Sequence, residues 1–518
     1  MYQPIQLKTP TVLFLVALLL ACFVVPQTAQ AVVPPPDGGY PNFTTAEGDN
    51  ALRSLTTGVG NTAIGTFSLS SVTTGSFNTA VGAGALDLNT ADNNTATGAA
   101  ALLLNTTGTS NTANGVDALA LNDTGSQNTA NGAFALFSNT TGNDNTAMGV
   151  NALLSNISGF RNTAFGRSAL ASNTASDNTG YGFQALLSNT TGSFNTANGL
   201  QTLMNNTEGD GNTGTGFEAL QNNTIGNSNT ANGSTALFSN TIGSDNTATG
   251  FEALFSNTEG DANTAVGSKA LNSNSGSFDT AIGSGALLMN TSGSSNTAVG
   301  DLALTLNNMG DHNTAVGNFA LINNTTGTLN TAVGNQAGIG VTTADNVICI
   351  GNNGANVSNS CFISNIFGQT SPSGLAVLVN SAGKLGTTTS SQRFKEEIKA
   401  MDRTSEVLYA LRPVTFRYKK EIDPARTSQF GLVAEDVEKL NPELVVRDEE
   451  GKPYSVRYDQ VNAMLLNEFL KEHRKNEEQG ATIACLQKQV DTLTAGLQKV
   501  NAKLEVSRPA AQTVLNNQ

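Results

Sequence analysis

The sequence of 518 residues has no tryptophan, two histidines and four cysteines, and only 13% of its residues are charged. No two cysteines form a Cys-x-x-Cys pair, and His312 and His473 are far apart, so the sequence has no zinc-site pattern. Aromatic residues make up only 6%, and no carboxylate pair recurs, which argues against an enzyme that acts on glycans. We therefore expect no metal and no cofactor.

Charge is unevenly distributed along the chain. Residues 44–366 contain four Lys or Arg and 19 Asp or Glu, a net charge of −15, whereas residues 367–518 contain 21 basic and 20 acidic residues, a net charge of +1. Nucleic-acid binding requires a basic stripe, so no nucleic-acid partner is expected for the first segment. The change in composition divides the chain into two dissimilar parts.

The N-terminal residues 1–31 have the pattern of a secretory signal peptide. Lys8 supplies the positive end, an apolar run follows, and Ala29-Gln30-Ala31 is a cleavage site. The apolar run is shorter than a typical transmembrane helix, so we expect no transmembrane segment in the mature chain. The mature chain is expected to be secreted or displayed at the cell surface. The alternative is lipidation at Cys22, because Leu19-Leu20-Ala21-Cys22 is similar to a bacterial lipobox.

A proline-rich linker, residues 32–43, precedes a body of short repeats, residues 44–366. The repeats share the anchor Asn-Thr-Ala-x-Gly, and successive anchors are 17 residues apart, with three steps of 16. The anchors begin at Asn61, Asn78, Asn94, Asn111, Asn128, Asn145, Asn162, Asn178, Asn195, Asn212, Asn229, Asn246, Asn263, Asp279, Asn296, Asn313 and Asn330. So short a unit buries its apolar face only by stacking on its neighbours, which predicts a β-solenoid.

The averaged unit, N-T-A-x-G-x-x-A-L-x-x-N-T-T-G-S-x, predicts the interior of this solenoid. The nearly constant anchor Ala and the Leu of Ala-Leu are expected to point inward. Both apolar segments fit a two-residue β-period. The two glycines are expected at corners that need positive φ, and the recurrent Asn are expected to stack into ladders that satisfy the backbone.

The x position of the anchor varies, which indicates a side chain that faces outward or towards a partner chain. It is apolar near both ends of the body and often Asn in the middle: Ile64, Val81, Asn114, Asn131, Asn198, Asn232, Val299, Val316 and Val333. We interpret this stripe as the solvated face of a structural rod; the alternative is a binding face for a surface or glycan ligand. The repeats resemble the β-roll heads of trimeric bacterial surface adhesins, although the period is longer, and this resemblance implies a parallel trimer.

Residues 367–389 are predicted to be a β connector. Two cysteines near the end of the body, Cys349 and Cys361, are close enough in sequence for a disulfide, which an oxidising compartment would favour. Cys485 would then be unpaired.

The sequence from Ser390 resembles the peptidase S74 domain, the intramolecular chaperone of endosialidases and phage tail fibres. The resemblance covers residues 390–475 and rests on several motifs in order: Ser390-Ser391-Gln392-Arg393-Phe394-Lys395, Leu411-Arg412-Pro413, Gly431 to Val437, Pro442 to Val445 and Tyr458-Asp459. It implies a single self-cleavage by a Ser-Lys dyad, here Ser390 and Lys395, with no activity on other substrates. Ser391 stands where the family usually has Asp.

The chemistry of these residue types agrees with that implication. A serine hydroxyl needs a base to take its proton, and lysine is a base only when burial or nearby positive charge favours its neutral form. Arg393 and Lys399 are close in sequence, and assembly of three chains would bury Lys395. We expect a cut between Thr389 and Ser390, with the bond after Ser390 as the alternative. A non-catalytic interpretation is that Ser390 caps a helix or turn beginning near Arg393.

Residues 476–508 form a heptad pattern, followed by a disordered tail, residues 509–518. The seam consists of Ile483, Leu486, Val490, Leu493, Leu497, Val500 and Leu504. This spacing predicts a coiled coil, and the alternative is an amphipathic helix packed on its own domain. The sequence therefore predicts a mainly β homotrimer: a parallel β-solenoid, a small α+β domain and a coiled coil. The expected function is a secreted or surface, adhesin-like fibre that trims itself, or one that keeps its C-terminal domain as a permanent cap.

Overall fold

The computed structural model describes residues 41–507 except 381 and 449. The chain divides after Gln369 into a repeat unit and a C-terminal unit. The predicted signal peptide, the residues of the linker before position 41, and the tail after position 507 lie outside the described residues. No helix among the described residues is both long and apolar enough to cross a membrane.

The repeat unit is a solenoid of short parallel strands that form one 20-stranded sheet. A 3-10 turn, Pro41–Phe43, precedes the strands. The strands are β1 (Thr45–Glu47), β2 (Thr62–Ile64), β3 (Thr79–Val81), β4 (Thr95–Thr97), β5 (Thr112–Asn114), β6 (Thr129–Asn131), β7 (Thr146–Met148), β8 (Thr163–Phe165), β9 (Thr179–Tyr181), β10 (Thr196–Asn198), β11 (Thr213–Thr215), β12 (Thr230–Asn232), β13 (Thr247–Thr249), β14 (Thr264–Val266), β15 (Thr280–Ile282), β16 (Thr297–Val299), β17 (Thr314–Val316), β18 (Thr331–Val333), β19 (Val347–Ile350) and β20 (Ser360–Ile363). Each anchor pairs in register with the next, Thr opposite Thr and in most turns Ala opposite Ala, as in Thr112↔Thr129 and Ala113↔Ala130. Gly180 and Gly214 take the Ala position in two turns.

The predicted orientations of the anchor and of the Ala-Leu pair are confirmed. Anchor alanines such as Ala113 and leucines such as Leu119 are 0% exposed. The x side chains are exposed or half-buried, for example Ile64 at 42% and Val333 at 43%. The small Ala allows the opposite walls of the coil to approach closely, and the leucines fill the remaining interior.

The second β segment predicted for each repeat is wrong, because the Ala-Leu segment forms turns. Ala118 and Leu119 are consecutive and both buried, whereas consecutive side chains of a strand face opposite sides. The leucines adopt the left-handed conformation, with φ of 53° at Leu119 and 52° at Leu136. The backbone N–H of Leu119 still donates to Ala135 of the next turn at 3.0 Å. Stacking of equivalent turns thus holds a conformation that an isolated leucine would avoid.

Only the anchor glycine of each repeat fulfils the prediction of positive φ; the second does not. Gly115 has φ of 144°, whereas Gly125 is not in the left-handed region. Glycine is required at position 125 for steric reasons, since a Cβ there would lie 2.5 Å from the carbonyl oxygen of Gly142 in the next turn.

Asparagine ladders run along the interior, as predicted. The side-chain N–H groups of Asn111 and Asn122 both donate to the carbonyl of Gly125, each at 2.8 Å. The Asn122 side chain also donates to Asn105 of the preceding turn at 2.6 Å. The backbone N–H of Asn128 donates to the Asn111 side chain at 3.0 Å. Every buried side-chain N or O atom among the described residues has a partner.

One turn departs from this pattern, because Asp279 occupies an anchor Asn position. Asp279 is 0% exposed and accepts hydrogen bonds from the Asn296 backbone at 2.8 Å and the Asn290 side chain at 3.0 Å. A carboxylate has no N–H to donate, so among the described groups the carbonyl of Gly293 receives a side-chain amide donor only from Asn290. Burial raises the Asp279 pKa to about 7, and the charge of Asp311 adds to the rise, while hydrogen bonds from Asn296 and Asn290 oppose it.

The predicted disulfide is not formed in this structure, where Cys349 and Cys361 are free thiols. The parallel register of β19 and β20 places Cys361 opposite Ile348 and Cys349 opposite Phe362. Cys349 therefore faces the buried interior and Cys361 the exposed side, and a bridge would have to pass through the sheet.

The described part of the C-terminal unit contains three two-stranded antiparallel sheets and two helices. Its strands are β21 (Val377–Val379), β22 (Leu385–Thr387), β23 (Val414–Phe416), β24 (Gln429–Gly431), β25 (Val445–Arg447) and β26 (Pro453–Val456). Its helices are α1 (Ala434–Leu440) and α2 (Tyr458–Val506), and its 3-10 segments are Gln392–Phe394, Asp402–Ala410 and Pro442–Leu444. The core consists of Val437, Leu444, Val445, Val456, Val461 and Met464. The predicted division between domain and coil, after residue 475, falls inside the continuous α2.

The buried carboxyl makes the solenoid's stability depend on pH. The folded pKa of Asp279, about 7, lies above its ordinary value of 3.8, so folding takes up a proton. The destabilising effect of the buried Asp279 carboxyl is absent below about pH 4, grows as the pH rises towards about 7 and then levels off. Three pKa units correspond to at most about 4 kcal/mol. We expect Asp279→Asn to raise the Tm at pH 8 and to change it little at pH 4, as measured by circular dichroism.

A matched control is Asp144→Asn, at an exposed corner of another turn. This variant should follow the wild-type pH profile. An Asp279→Asn chain with the same Tm difference from wild type at both pH values would contradict the role given to the buried carboxyl.

Candidate active site

Ser390 and Lys395 lie on either side of the 3-10 turn Gln392–Phe394, and their side chains are in contact. The Lys395 Nζ donates a hydrogen bond to the Ser390 Oγ at 3.1 Å. The turn folds the chain back on itself, since the N–H of Lys395 donates to the Gln392 carbonyl at 3.0 Å. The N-cap of the turn is Ser391, whose side chain makes no capping bond. Ser390 therefore contacts the lysine rather than capping the turn.

The residues around this pair are exposed. Thr389, Ser390 and Ser391 all lie at the surface and outside any strand or helix, so both bonds of the predicted cleavage junction are sterically accessible. Phe394 is 60% exposed and Ile398 61%. Lys395 is likewise exposed in one chain, as far as the described residues surround it.

The two cations that the sequence placed near the dyad have contacts of their own. The Arg393 guanidinium stacks on the Phe394 ring, 4.5 Å from its centroid. The Lys399 amine lies 3.8 Å from the Glu397 carboxylate, which offsets its positive charge. In one chain, the contacts of these two cations are therefore with Phe394 and Glu397.

A second cluster of polar side chains, which the sequence reasoning missed, joins α2 to the 3-10 segment Asp402–Ala410. The buried Glu468 carboxylate accepts hydrogen bonds from the Ser405 hydroxyl at 2.5 Å, the Tyr409 hydroxyl at 2.7 Å and the Lys471 amine at 2.6 Å. Asn467 donates to the Ser405 Oγ at 2.7 Å. The bond from Lys471, followed by those from Ser405 and Tyr409, lowers the Glu468 pKa to about 2.

The Ser405–Glu468 cluster is structural rather than nucleophilic in this arrangement. The Ser405 hydroxyl donates a hydrogen bond to the Glu468 carboxylate, so the contact ties the 3-10 segment to α2. A signal was present in the sequence, because Glu468 shares a helical stripe with the apolar Val461 and Met464. A carboxylate on such a stripe needs partners from another element.

The described residues contain no group of three His, Cys, Asp or Glu side chains suited to a metal ion.

Comparison with known protein families finds a similarity near the start of the C-terminal unit. Residues 390–446 match the peptidase S74 family, described as the chaperone of endosialidase. The matched residues include both Ser390 and Lys395, and they follow the β-solenoid. No curated protein and no solved structure matches the chain.

The Glu468 cluster predicts an acid-sensitive C-terminal unit. Because the folded pKa of Glu468 lies below its ordinary value of 4.5, its contribution to stability is present above about pH 4.5 and is lost as the pH falls towards 2. We expect Glu468→Gln to lower the Tm of this unit at pH 7 and to narrow the Tm difference from wild type near pH 2.

The control is Glu478→Gln, an exposed position on the same helix, which should leave the Tm unchanged. Equal effects of the two substitutions in a thermal scan at pH 7 would contradict the anchoring role of Glu468.

Proposed function

We propose that this chain is a fibre protein whose C-terminal unit guides the assembly of three copies and then detaches by self-cleavage. The observation that carries the proposal is the 3.1 Å contact between the Lys395 amine and the Ser390 hydroxyl, inside the segment that matches the chaperone family. The mature product would be the solenoid, displayed at the cell surface or secreted, with an adhesive or structural role.

The proposed cut uses only the chain and one water molecule. Neutral Lys395 takes the proton of the Ser390 hydroxyl, and the Oγ attacks the carbonyl carbon of Thr389. The Thr389–Ser390 C–N bond breaks, the nitrogen takes up the proton, and an ester joins Thr389 to the Ser390 oxygen. Water then hydrolyses the ester, leaving a carboxylate at Thr389 and a free amine and hydroxyl on Ser390. Attack on the serine's own carbonyl would need a strained four-membered ring.

The exposure of the dyad suggests how cutting is coupled to assembly. Lysine acts as a base when it is shielded from water, and one chain leaves Lys395 exposed. Under the proposal, neighbouring copies bury Lys395 only after correct assembly, so a misassembled chain stays uncut. The same exposure favours the alternative of a C-terminal unit that never cuts and remains as a permanent cap.

The number of copies is part of the proposal. The resemblance of the repeats to trimeric adhesin heads supports three chains. The first part of the α2 seam has Ile483 and Val490 at one heptad position and Leu486 and Leu493 at the other, a combination that favours two strands in isolated coiled coils. The last part reverses it, with Leu497 and Leu504 at the first position and Val500 at the second, which favours more than two strands. The seam alone therefore does not fix the number of copies, and in a trimer the solenoid and the chaperone unit would have to fix it.

We predict that the purified wild-type chain yields two fragments, the smaller beginning at Ser390, whereas Ser390→Ala and Lys395→Met remain intact. Intact mass spectrometry measures this directly, and native mass spectrometry of the Ser390→Ala chain gives the number of copies. The control is Ser391→Ala, which removes a neighbouring exposed hydroxyl and should still be cut.

An intact wild-type chain would establish the permanent cap instead. Cleavage of the Ser390→Ala chain at the same bond would show that another nucleophile or an external protease is responsible.

A further inference from the structure

The long helix α2 continues without a break from the core of the C-terminal unit into the heptad segment. It spans Tyr458–Val506, 49 residues. Because the helix is continuous, the heptad phase of the distal part can be carried back into the proximal part. Steps of four and three back from Ile483 reach Gln479, Asn476 and Glu472, and then Phe469 and Leu465.

Phe469 and Leu465 are large apolar side chains and both are exposed, at 68% and 53%. They lie beside the stripe that packs on the domain, in which Val461, Met464 and Glu468 are buried. The distal seam residues are exposed to a similar degree, from 53% at Val490 to 68% at Leu493. Proximal and distal residues therefore form one exposed stripe about 60 Å long, at 1.5 Å per residue.

We propose that the contact between copies begins at Leu465 inside the chaperone unit, and that its occupant is the same helix of identical chains. This inference rests on the proposed assembly of copies and extends it. It makes α2 the element that joins the folded core of each C-terminal unit directly to its neighbours.

The charge pattern supports an identical helix as the occupant. Between residues 480 and 502 the only charged side chains are Lys488, Asp491 and Lys499, and all three fall at outer heptad positions. Within this stretch the positions that flank the seam are uncharged: Gly480, Thr482, Gln487, Gln489, Thr494, Gly496 and Asn501. Between residues 480 and 502, equivalent helices can therefore lie side by side in parallel without repulsion between like charges, whereas Lys475 and Lys503 flank the seam outside this stretch.

Three polar residues, Glu472, Asn476 and Gln479, interrupt the seam without shifting its phase. Polar side chains at seam positions lower stability but fix register, because the amides of Asn476 and Gln479 find hydrogen-bond partners in the seam only opposite other polar side chains. The Lys475 amine lies 3.6 Å from the Glu472 carboxylate and offsets repulsion between equivalent Glu472 side chains. A mismatched alignment would bury these polar groups against Ile483 or Phe469.

Cysteine cross-linking tests the proposal in the uncut chain, with Ser390→Ala, Cys361→Ser and Cys485→Ser as the parent. Phe469→Cys places a thiol on the proposed proximal seam, and Leu493→Cys places one on the distal seam. Leu470→Cys is the control, because residue 470 falls at an outer heptad position next to Phe469. After oxidation with diamide, non-reducing gels are expected to show a covalent dimer for Phe469→Cys and Leu493→Cys. Leu470→Cys should cross-link no more than the parent.

Each outcome separates this inference from the proposed assembly. Cross-linking of Leu493→Cys without Phe469→Cys would overturn the proximal seam and leave the distal coiled coil in place. Failure of both would overturn the assembly of copies through α2 altogether. Equal cross-linking of Phe469→Cys and Leu470→Cys would show collision without a defined seam. All three positions are exposed, so the substitutions leave the core of the unit intact.

Discussion

The solenoid depends on the hydrogen bonds that buried asparagine amides make to backbone groups of stacked turns. Each repeat turns the chain so tightly that carbonyl groups such as that of Gly125 point inward, where water cannot reach them. The side chains of Asn111 and Asn122 satisfy that carbonyl, and the same arrangement recurs along the rod. Position 125 also has to be glycine, since a Cβ there would collide with the Gly142 carbonyl oxygen in the next turn. Asp279 shows the cost of a single change, because a carboxyl without an amide N–H lies in the same ladder.

This repetition creates a difficulty for assembly. Adjacent turns are nearly identical in sequence. A turn that stacks one repeat away from its correct neighbour therefore keeps almost all of its Thr, Ala and Asn contacts. Strand register is specified only where one alignment is clearly better than its neighbours. A C-terminal unit that brings equivalent chains together at one end would remove that freedom. Its later release would leave the solenoid without the element that guided it, so that its persistence would depend on slow unfolding.

A contact in this structure could be predicted from the sequence where it repeats in every turn, and not where it joins distant residues once. The inward Ala and Leu and the Asn ladders could be predicted because the same residue recurs in every turn. The left-handed conformation of leucines such as Leu119 could not, because φ is set by stacking and leaves no trace in residue type. The Ser390–Lys395 pair followed from a resemblance and a short spacing. The Glu468 cluster was missed because two of its partners, Ser405 and Tyr409, lie about 60 residues away in the sequence.

Under the proposed function, the C-terminal unit carries the information that assembles the solenoid. Refolding tests this when the uncut Ser390→Ala chain and the solenoid fragment left by cleavage are both unfolded in guanidinium and diluted. We expect the uncut chain to regain its β-sheet circular dichroism and its native mass, while the cleaved solenoid aggregates or gives mixed species. Equal recovery of the native assembly by both would show that the repeats alone suffice and that the C-terminal unit does not direct assembly.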